Sequence, residues 1–249
     1  MPWQVRHPEC LHSAAPEHTI RAASDMTPQR YQKLRRVLDS RQPDLTVLLD
    51  NVHKPHNFSA ILRSCDAVGV FEAHAVWGDD TLRPSHLISS GTGKWVGIRT
   101  HADIALAVAE LRERRFQLVA ADPEGNAHDY RELDYTRPTA LMLGAELRGL
   151  GKAALECADA RVCVPMMGMV ESLNVSVAAA TILFEAQRQR SNANLYAESR
   201  LDRAMYQKTL FEWAHPAVAE YCKRHALTYP DLDHEGEIAG PLPTPSRPN

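Results

Sequence analysis

Short unbroken apolar runs alternate along this chain with longer stretches of helical spacing. Leu45 to Leu49, Glu72 to Trp77, Phe116 to Ala121, Thr139 to Leu143 and Arg161 to Val164 have the length and composition of buried strands. Between them, Thr27 to Gln42 places Tyr31, Leu34, Val37 and Leu38 on one helical face. Asn57 or Ser59 caps a helix running through Val68, and Gly69 ends it. Asp103 caps another that runs to Arg115, and Lys152 to Ala158 makes a short one. Strands alternating with helices predict an α/β fold, a mostly parallel sheet with helices on both faces.

The stretch from Val164 to Arg190 organises the rest. Ser172, Asn174 and Ser176 stand at every second position just before Val177 to Phe184, which is apolar on nearly every side. A helix of that kind is expected to be buried. Asn174 or Ser176 can cap its free N–H groups, where polar or anionic ligand groups are favoured. Taken alone, the segment reads as an ordinary capped core helix.

Beyond it, Leu201 to Ala214 and Pro216 to Leu227 read as two amphipathic helices. Leu227 to Asn249 holds five of the chain's sixteen prolines and is expected to be a loose tail. Met1 to Asp25 lacks periodicity and is expected to be a disordered leader. The division is thus 1–25 leader, 26–43 basic helix, 44–190 central domain, 191–227 helical extension and 228–249 tail.

Composition narrows the chemistry. With 249 residues and a net charge of −3, the chain carries no global basic signal, so a nucleic-acid partner requires a local patch. The first helix offers one: Arg30, Lys33, Arg35, Arg36 and Arg41 face only Asp39 in charge. A solvated helix surface and an RNA phosphate contact both fit it. Five cysteines without a C-x-x-C pair suit reduced structural thiols in the cytoplasm. No apolar run approaches a membrane span, and no metal-ligand spacing appears.

Three loops carry the candidate chemistry. Asn51 to Asn57 leaves the first strand as a polar segment kept extended by Pro55. Gly144 to Gly151 leaves the Thr139 strand, and Pro165 to Ser176 leaves the last. Loops at strand carboxyl ends gather at one edge of an open sheet, where such folds bind ligands. Gly149-x-Gly151-x-x-Ala154 matches a dinucleotide fingerprint in form, but its separation from the strand end argues against a nicotinamide enzyme. Ser89 to Lys94 lacks the spacing of a phosphate-binding loop and is expected to be flexible.

Asn57-x5-Arg63, Leu143-Gly144-Ala145-Glu146-x2-Gly149 and Val164-Pro165-Met166-x5-Ser172-Leu173-Asn174-Val175-Ser176 resemble, in order, the three signature motifs of the SPOUT methyltransferases. Val52-His53-Lys54-Pro55-His56-Asn57 and Arg41 to Val47 extend the match to the TrmH branch, which methylates the ribose 2′-oxygen of guanosine in tRNA. The resemblance covers roughly Met26 to Trp213.

That resemblance implies a carboxyl-terminal deep trefoil knot, a homodimer, and S-adenosylmethionine bent inside the knot. Ordinary connection rules would not produce a knot. By the same resemblance, Ala121, Gly144, Val164 and Leu173 lie along the adenosine, while Glu146, Ser172 and Asn174 orient the methionine part or neighbouring loops. Arg63 is the catalytic residue, supported by Asn57. A guanidinium stays protonated in proteins, so Arg63 suits phosphate binding and stabilisation of a developing oxyanion better than proton abstraction. His53 and His56 have the intrinsic pKa for base work but read first as loop hydrogen-bond partners. The basic helix, through Arg30, Lys33, Arg36 and Arg41, and the two carboxyl-terminal helices fit tRNA as substrate, at the D-loop guanosine conventionally numbered 18. Methylation of rRNA or another tRNA position, and non-catalytic RNA binding, are the alternatives.

Overall fold

The computed structural model describes residues 26–77, 92–124, 126–146 and 148–245. The expected leader, and Ser89 to Gly91 of the glycine-rich loop, lie outside the described residues. The five expected strands form as β1 (Leu45–Asp50), β2 (Glu72–Val76), β4 (Gln117–Ala121), β6 (Thr139–Gly144) and β7 (Ala160–Cys163). Two more, β3 (Gly97–His101) and β5 (His128–Asp129), were not announced by the apolar pattern. All seven pair in parallel, in the order β3-β2-β1-β6-β4-β7-β5. β3 is an edge strand with no fully buried residue, so it has no apolar run to detect.

Period-two alternation splits the core into two layers. Val47 and Leu49 of β1, Val119 of β4, and Leu141 and Leu143 of β6 face α2 (Pro55–Ala67) and α5 (Val175–Asn192). Leu48, Leu118, Ala120, Ala140 and Met142 face α3 (Ile104–Glu113) and α4 (Lys152–Glu156). Asp103 caps α3 as expected, accepting from the Leu106 N–H at 2.8 Å. α2 instead begins at Pro55, whose fixed φ and missing N–H suit a first helical position. Asn57 is therefore not a cap, and its side chain is released for tertiary bonding. Gly69 ends α2 with φ +83, and a Cβ there would meet the Ser40 carbonyl oxygen at 2.6 Å.

α5 departs from the all-round burial expected of it. Ala179, Ile182, Leu183 and Ala186 are buried, but Val177 and Phe184 are about half exposed, at 49% and 51%. Its far end is pinned by Arg190, which is fully buried. That guanidinium donates to Asp44 Oδ1 at 2.7 Å, to Gln42 Oε1 at 3.0 Å, and to the carbonyls of Tyr135, Asp44 and Arg137 at 2.9–3.0 Å.

α1 (Pro28–Asp39), α6 (Arg203–Ala214) and α7 (Pro216–Arg224) follow the expected spans closely. Tyr31, Leu34 and Leu38 of α1 pack on Leu210 and Ala214 of α6 as a separate small core. The tail is not loose as far as it is described. Residues 231–239 fold into a turn closed by Ala239 N–H to Asp231 O at 2.8 Å, and Leu232, Ile238 and Leu242 pack against Phe211 and Val218. The Gly236 carbonyl lies 2.7 Å from His215 Nε2, and Gly236 itself fits against the Tyr31 ring. Proline content misled because prolines stiffen this segment without preventing apolar contact. Cys65 and Cys222 are buried free thiols, and burial pushes Cys65 up to about 12.

Candidate active site

β1 and β6 run in register from Leu45 opposite Thr139 to Asp50 opposite Gly144, so their exit loops start side by side. A Cβ on Gly144 would overlap the Gly149 carbonyl, which is why glycine stands where the loop folds back over its own strand. Gly149 completes the reversal at φ +61, donating to the Ala145 carbonyl at 2.8 Å. Asp50 ties both loops together. Its Oδ2 accepts from the Gly151 N–H at 3.0 Å and its Oδ1 from Asn51 Nδ2 at 2.8 Å.

The third loop joins through Asn57, which is 2% exposed in the first turn of α2. Its Nδ2 donates to Glu146 Oε1, and its Oδ1 accepts from Asn174 Nδ2 at 3.2 Å. Asn174 in turn caps α5, its Oδ1 accepting from the Ser176 N–H at 2.8 Å and hydroxyl at 2.6 Å. Lys54 Nζ stands 3.7 Å from the other Glu146 oxygen. One amide thus uses both its donor and its acceptor to connect loops distant in sequence. Burying such a group is costly unless it is bonded, so the junction is held by satisfaction of polar groups as well as by packing.

Beside this junction lies a cavity of about 580 Å³, within the range of small-ligand sites. Ala121, Gly144, Glu146, Val164, Ser172, Leu173 and Asn174, singled out from the sequence, all line it. Leu143, Leu150, Val162 and Ile182 give it apolar walls, and Ala178 on α5 leaves space open. Its carboxylates Asp122, Glu124, Glu146 and Glu171 outnumber Lys54 and Arg148, so its field favours a ligand carrying positive charge. Sequence reasoning missed Asp50, which looked like a mere strand boundary, and the part of Lys54 in holding Glu146. It also missed Ala178 and Ile182, whose small and apolar types carry no chemical signal.

Other singled-out residues lie elsewhere. Arg63 is exposed, does not line the cavity, and has no hydrogen bond or ion pair among the described residues. His53 and His56 are exposed on the loop before α2 and in its first turn. Arg30, Lys33 and Arg36 are exposed on α1. Arg41 corrects the expectation that it shares this face. It is fully buried, paired with Asp66 Oδ1 at 2.5 Å and bonded to the Val70 carbonyl at 3.1 Å, so it cannot meet a phosphate. The Gly151 N–H, which a dinucleotide pyrophosphate would need, is already taken by the Asp50 carboxylate. Among the described residues no helix is long and apolar enough to cross a membrane, and no cluster of His, Cys, Asp and Glu could hold a metal.

A parallel sheet whose exit loops enclose an acidic cavity, closed by the glutamate and asparagine of the motif loops, defines the class. Residues 44–184 match the SpoU rRNA methylase family and residues 188–241 the SpoU rRNA methylase C-terminal family; this chain belongs to the SpoU rRNA methylase family. Within it, the chain is 54% identical over 189 residues to the tRNA (guanosine(18)-2′-O)-methyltransferase of Thermus thermophilus, a match covering 76% of this chain and 97% of that one. Among solved structures it is similar to the A. aeolicus TrmH/SpoU tRNA modifying enzyme, at 42% identity and a TM-score of 0.70, over 76% of this chain and 96% of that one. It is also similar to the SpoU methyltransferase AviRb from Streptomyces viridochromogenes in complex with the cofactor AdoMet. That match has 31% identity and a TM-score of 0.54, over 61% of this chain and 59% of that one.

Proposed function

We propose that this chain methylates the ribose 2′-oxygen of the D-loop guanosine conventionally numbered 18 in tRNA, with S-adenosylmethionine as donor. The observation that carries the reading is the Asn57 junction, which draws the three motif loops around one ligand-sized cavity. The residues present fit the donor. An excess of carboxylates suits a sulfonium and an ammonium, apolar walls suit an adenine, and the tight Gly144–Gly149 reversal offers backbone groups to the adenine edge. When bound, the donor supplies a methyl group on positively charged sulfur. Ala121, Gly144, Val164 and Leu173 then line the adenosine, and Glu146, Ser172 and Asn174 orient the methionine end.

Because the donor is intrinsically reactive, the protein's task is alignment and help with the hydroxyl proton. Arg63, a guanidinium, holds a phosphate and stabilises negative charge on the ribose oxygen, while phosphate or water takes the hydroxyl proton. It stands outside the cavity, so the RNA or a second copy of the chain must bring the two together. A homodimer supplies that second copy, and Val177 and Phe184 on α5, with Met167, Met169 and Val170 in the loop before it, form the exposed apolar surface it would cover.

Topology supports the deep knot. β7 lies between β4 and β5, inside the excursion that residues 122–138 make from β4 to β5 and back to β6. α4 precedes β7 on one face of the sheet and α5 follows it on the other, the arrangement expected of a strand threaded through that excursion.

Incubation of the purified chain with labelled S-adenosylmethionine and unmodified tRNA, followed by nucleoside analysis, tests the proposal. The expected product is 2′-O-methylguanosine at one D-loop position. Label in rRNA alone, or none with either RNA, overturns it.

A further inference from the structure

A second cavity, of about 370 Å³, opens between α1, the turn at residues 92–95 and α6. Its walls are Leu34 and Val37 of α1 with Trp95 and Trp213, whose rings meet edge to face at 5.2 Å and 89°. Both indoles are only half-buried. At the rim stand Arg30 and Lys33, both exposed and without an ion-pair partner among the described residues. Asp66 also lines it, but its carboxylate is engaged by Arg41, whose guanidinium lies 5.3 Å from the Trp213 ring centroid. A neighbouring cavity shares Lys33, Val37 and Asp66 and continues past Arg36 to Ser191 and Tyr196.

Flat aromatic walls with cations spaced along one helix edge match an unpaired nucleotide. Single-stranded bases are held by stacking on aromatic rings while Lys and Arg track the phosphates. Two half-covered tryptophans are, moreover, an expensive surface to leave to water. We propose that the Trp95–Trp213 pocket seats one unstacked base of the tRNA, with Arg30 and Lys33 on its flanking phosphates. This rests on the reading of the protein as a tRNA-binding enzyme and adds to it a base-binding subsite separate from the methyl-transfer cavity.

The test measures affinity of the full chain for an unmodified tRNA transcript across a salt series, with thermal stability and S-adenosylmethionine affinity as controls. Trp95→Leu keeps the position apolar and removes the flat ring. It is expected to weaken tRNA binding by about 5- to 100-fold with the salt slope unchanged, because base stacking is lost and phosphate contacts are not. The double variant Arg30→Gln/Lys33→Gln is expected to lower the salt slope by about two, one for each lost phosphate contact. Both variants are expected to bind S-adenosylmethionine as wild type does.

A folded Trp95→Leu chain that binds tRNA like wild type overturns the subsite while leaving the enzyme reading intact. A wild-type chain that binds no tRNA removes both. If Trp95→Leu fails to fold, Trp213→Leu takes its place with the same expected loss of affinity, and wild-type binding by that variant or an unchanged salt slope in the exposed double variant overturns the proposal.

Discussion

Asn57 and Asn174 are 117 positions apart in sequence, yet their side-chain amides meet at 3.2 Å, with Glu146 on the opposite side of Asn57. Each amide has a second engagement, Asn57 to Glu146 and Asn174 to the first turn of α5. A cap, a helix start and a strand exit therefore share one chain of hydrogen bonds. Networks of this kind rigidify a site when complete and fail together when one member is lost.

Replacing Asn57 with Ala should test that coupling. The substitution leaves Glu146 Oε1, on a largely covered side chain, and Asn174 Nδ2, on an exposed residue, without their partner. The expected cost is about 1–3 kcal/mol of stability and roughly ten-fold or more in S-adenosylmethionine affinity. Calorimetric titration, with a melting curve alongside, measures both. Unchanged donor affinity would show that the junction does not shape the cavity.

Gly144→Ala addresses the loop reversal. The added methyl meets Gly149 backbone, which cannot move aside as a flexible side chain would. Loss of donor binding is expected, with a destabilisation of about 1–3 kcal/mol for an overpacked position. Urea unfolding and the same titration check it.

Arg190→Met probes the far end of α5. Five hydrogen bonds from one fully buried guanidinium disappear, and among the described residues the Asp44 carboxylate keeps only its contact with Arg200 at 2.6 Å. Breaking a buried pair from one side costs about 3–5 kcal/mol. Chemical denaturation is the measurement, and a shift below about 1 kcal/mol would contradict the role assigned to this residue.

Acid stability should depend on His74. This ring is fully buried on β2, nearly parallel to His101 with its Nδ1 2.8 Å from His101 Nε2, and its own Nε2 has no hydrogen-bond partner among the described residues. Burial, reinforced by the neighbouring His101, lowers its pKa from 6.5 to about 4. The unfolded chain therefore binds the extra proton first. Stability is full above pH ~6.5 and falls as pH drops toward ~4, with a slope of at most about 1.4 kcal/mol per unit from this group. Unfolding curves at pH 7 and pH 5 should differ less for His74→Phe than for the natural chain.

Phe184→Asp, on the exposed side of α5, should leave the fold of the single chain intact because the ring is 51% exposed there. Sedimentation is expected to show a dimer for the natural chain and a monomer for the variant, with methyl transfer reduced. A variant that stays dimeric would move the proposed interface elsewhere.

Much of this was legible in the sequence because buried parallel strands announce themselves as unbroken apolar runs. β1 and β6, covered on both faces, were found to within a residue. β3 and β5 were not, since an edge strand reading Gly-Ile-Arg-Thr-His and a two-residue strand bury too little to leave a pattern. The cavity-lining residues were found through motif resemblance, whereas Ala178 and Ile182 look like any other core positions. Arg41 shows the limit of charge counting: helical spacing places it just past the basic face, but only the fold reveals that Asp66 and the Val70 carbonyl draw it inward.

The sheet order also constrains the birth of the protein. β5 pairs with β7 alone, and β6, made after β4, must settle between β1 and β4. A nascent chain emerging from the ribosome consequently holds strands whose partners have not yet been synthesised. Its sheet cannot close until Cys163, the end of its last strand, is free. A chain truncated before β7 is therefore expected to leave β5 without its partner and β4 without one of its two, a consequence built into the order of the strands.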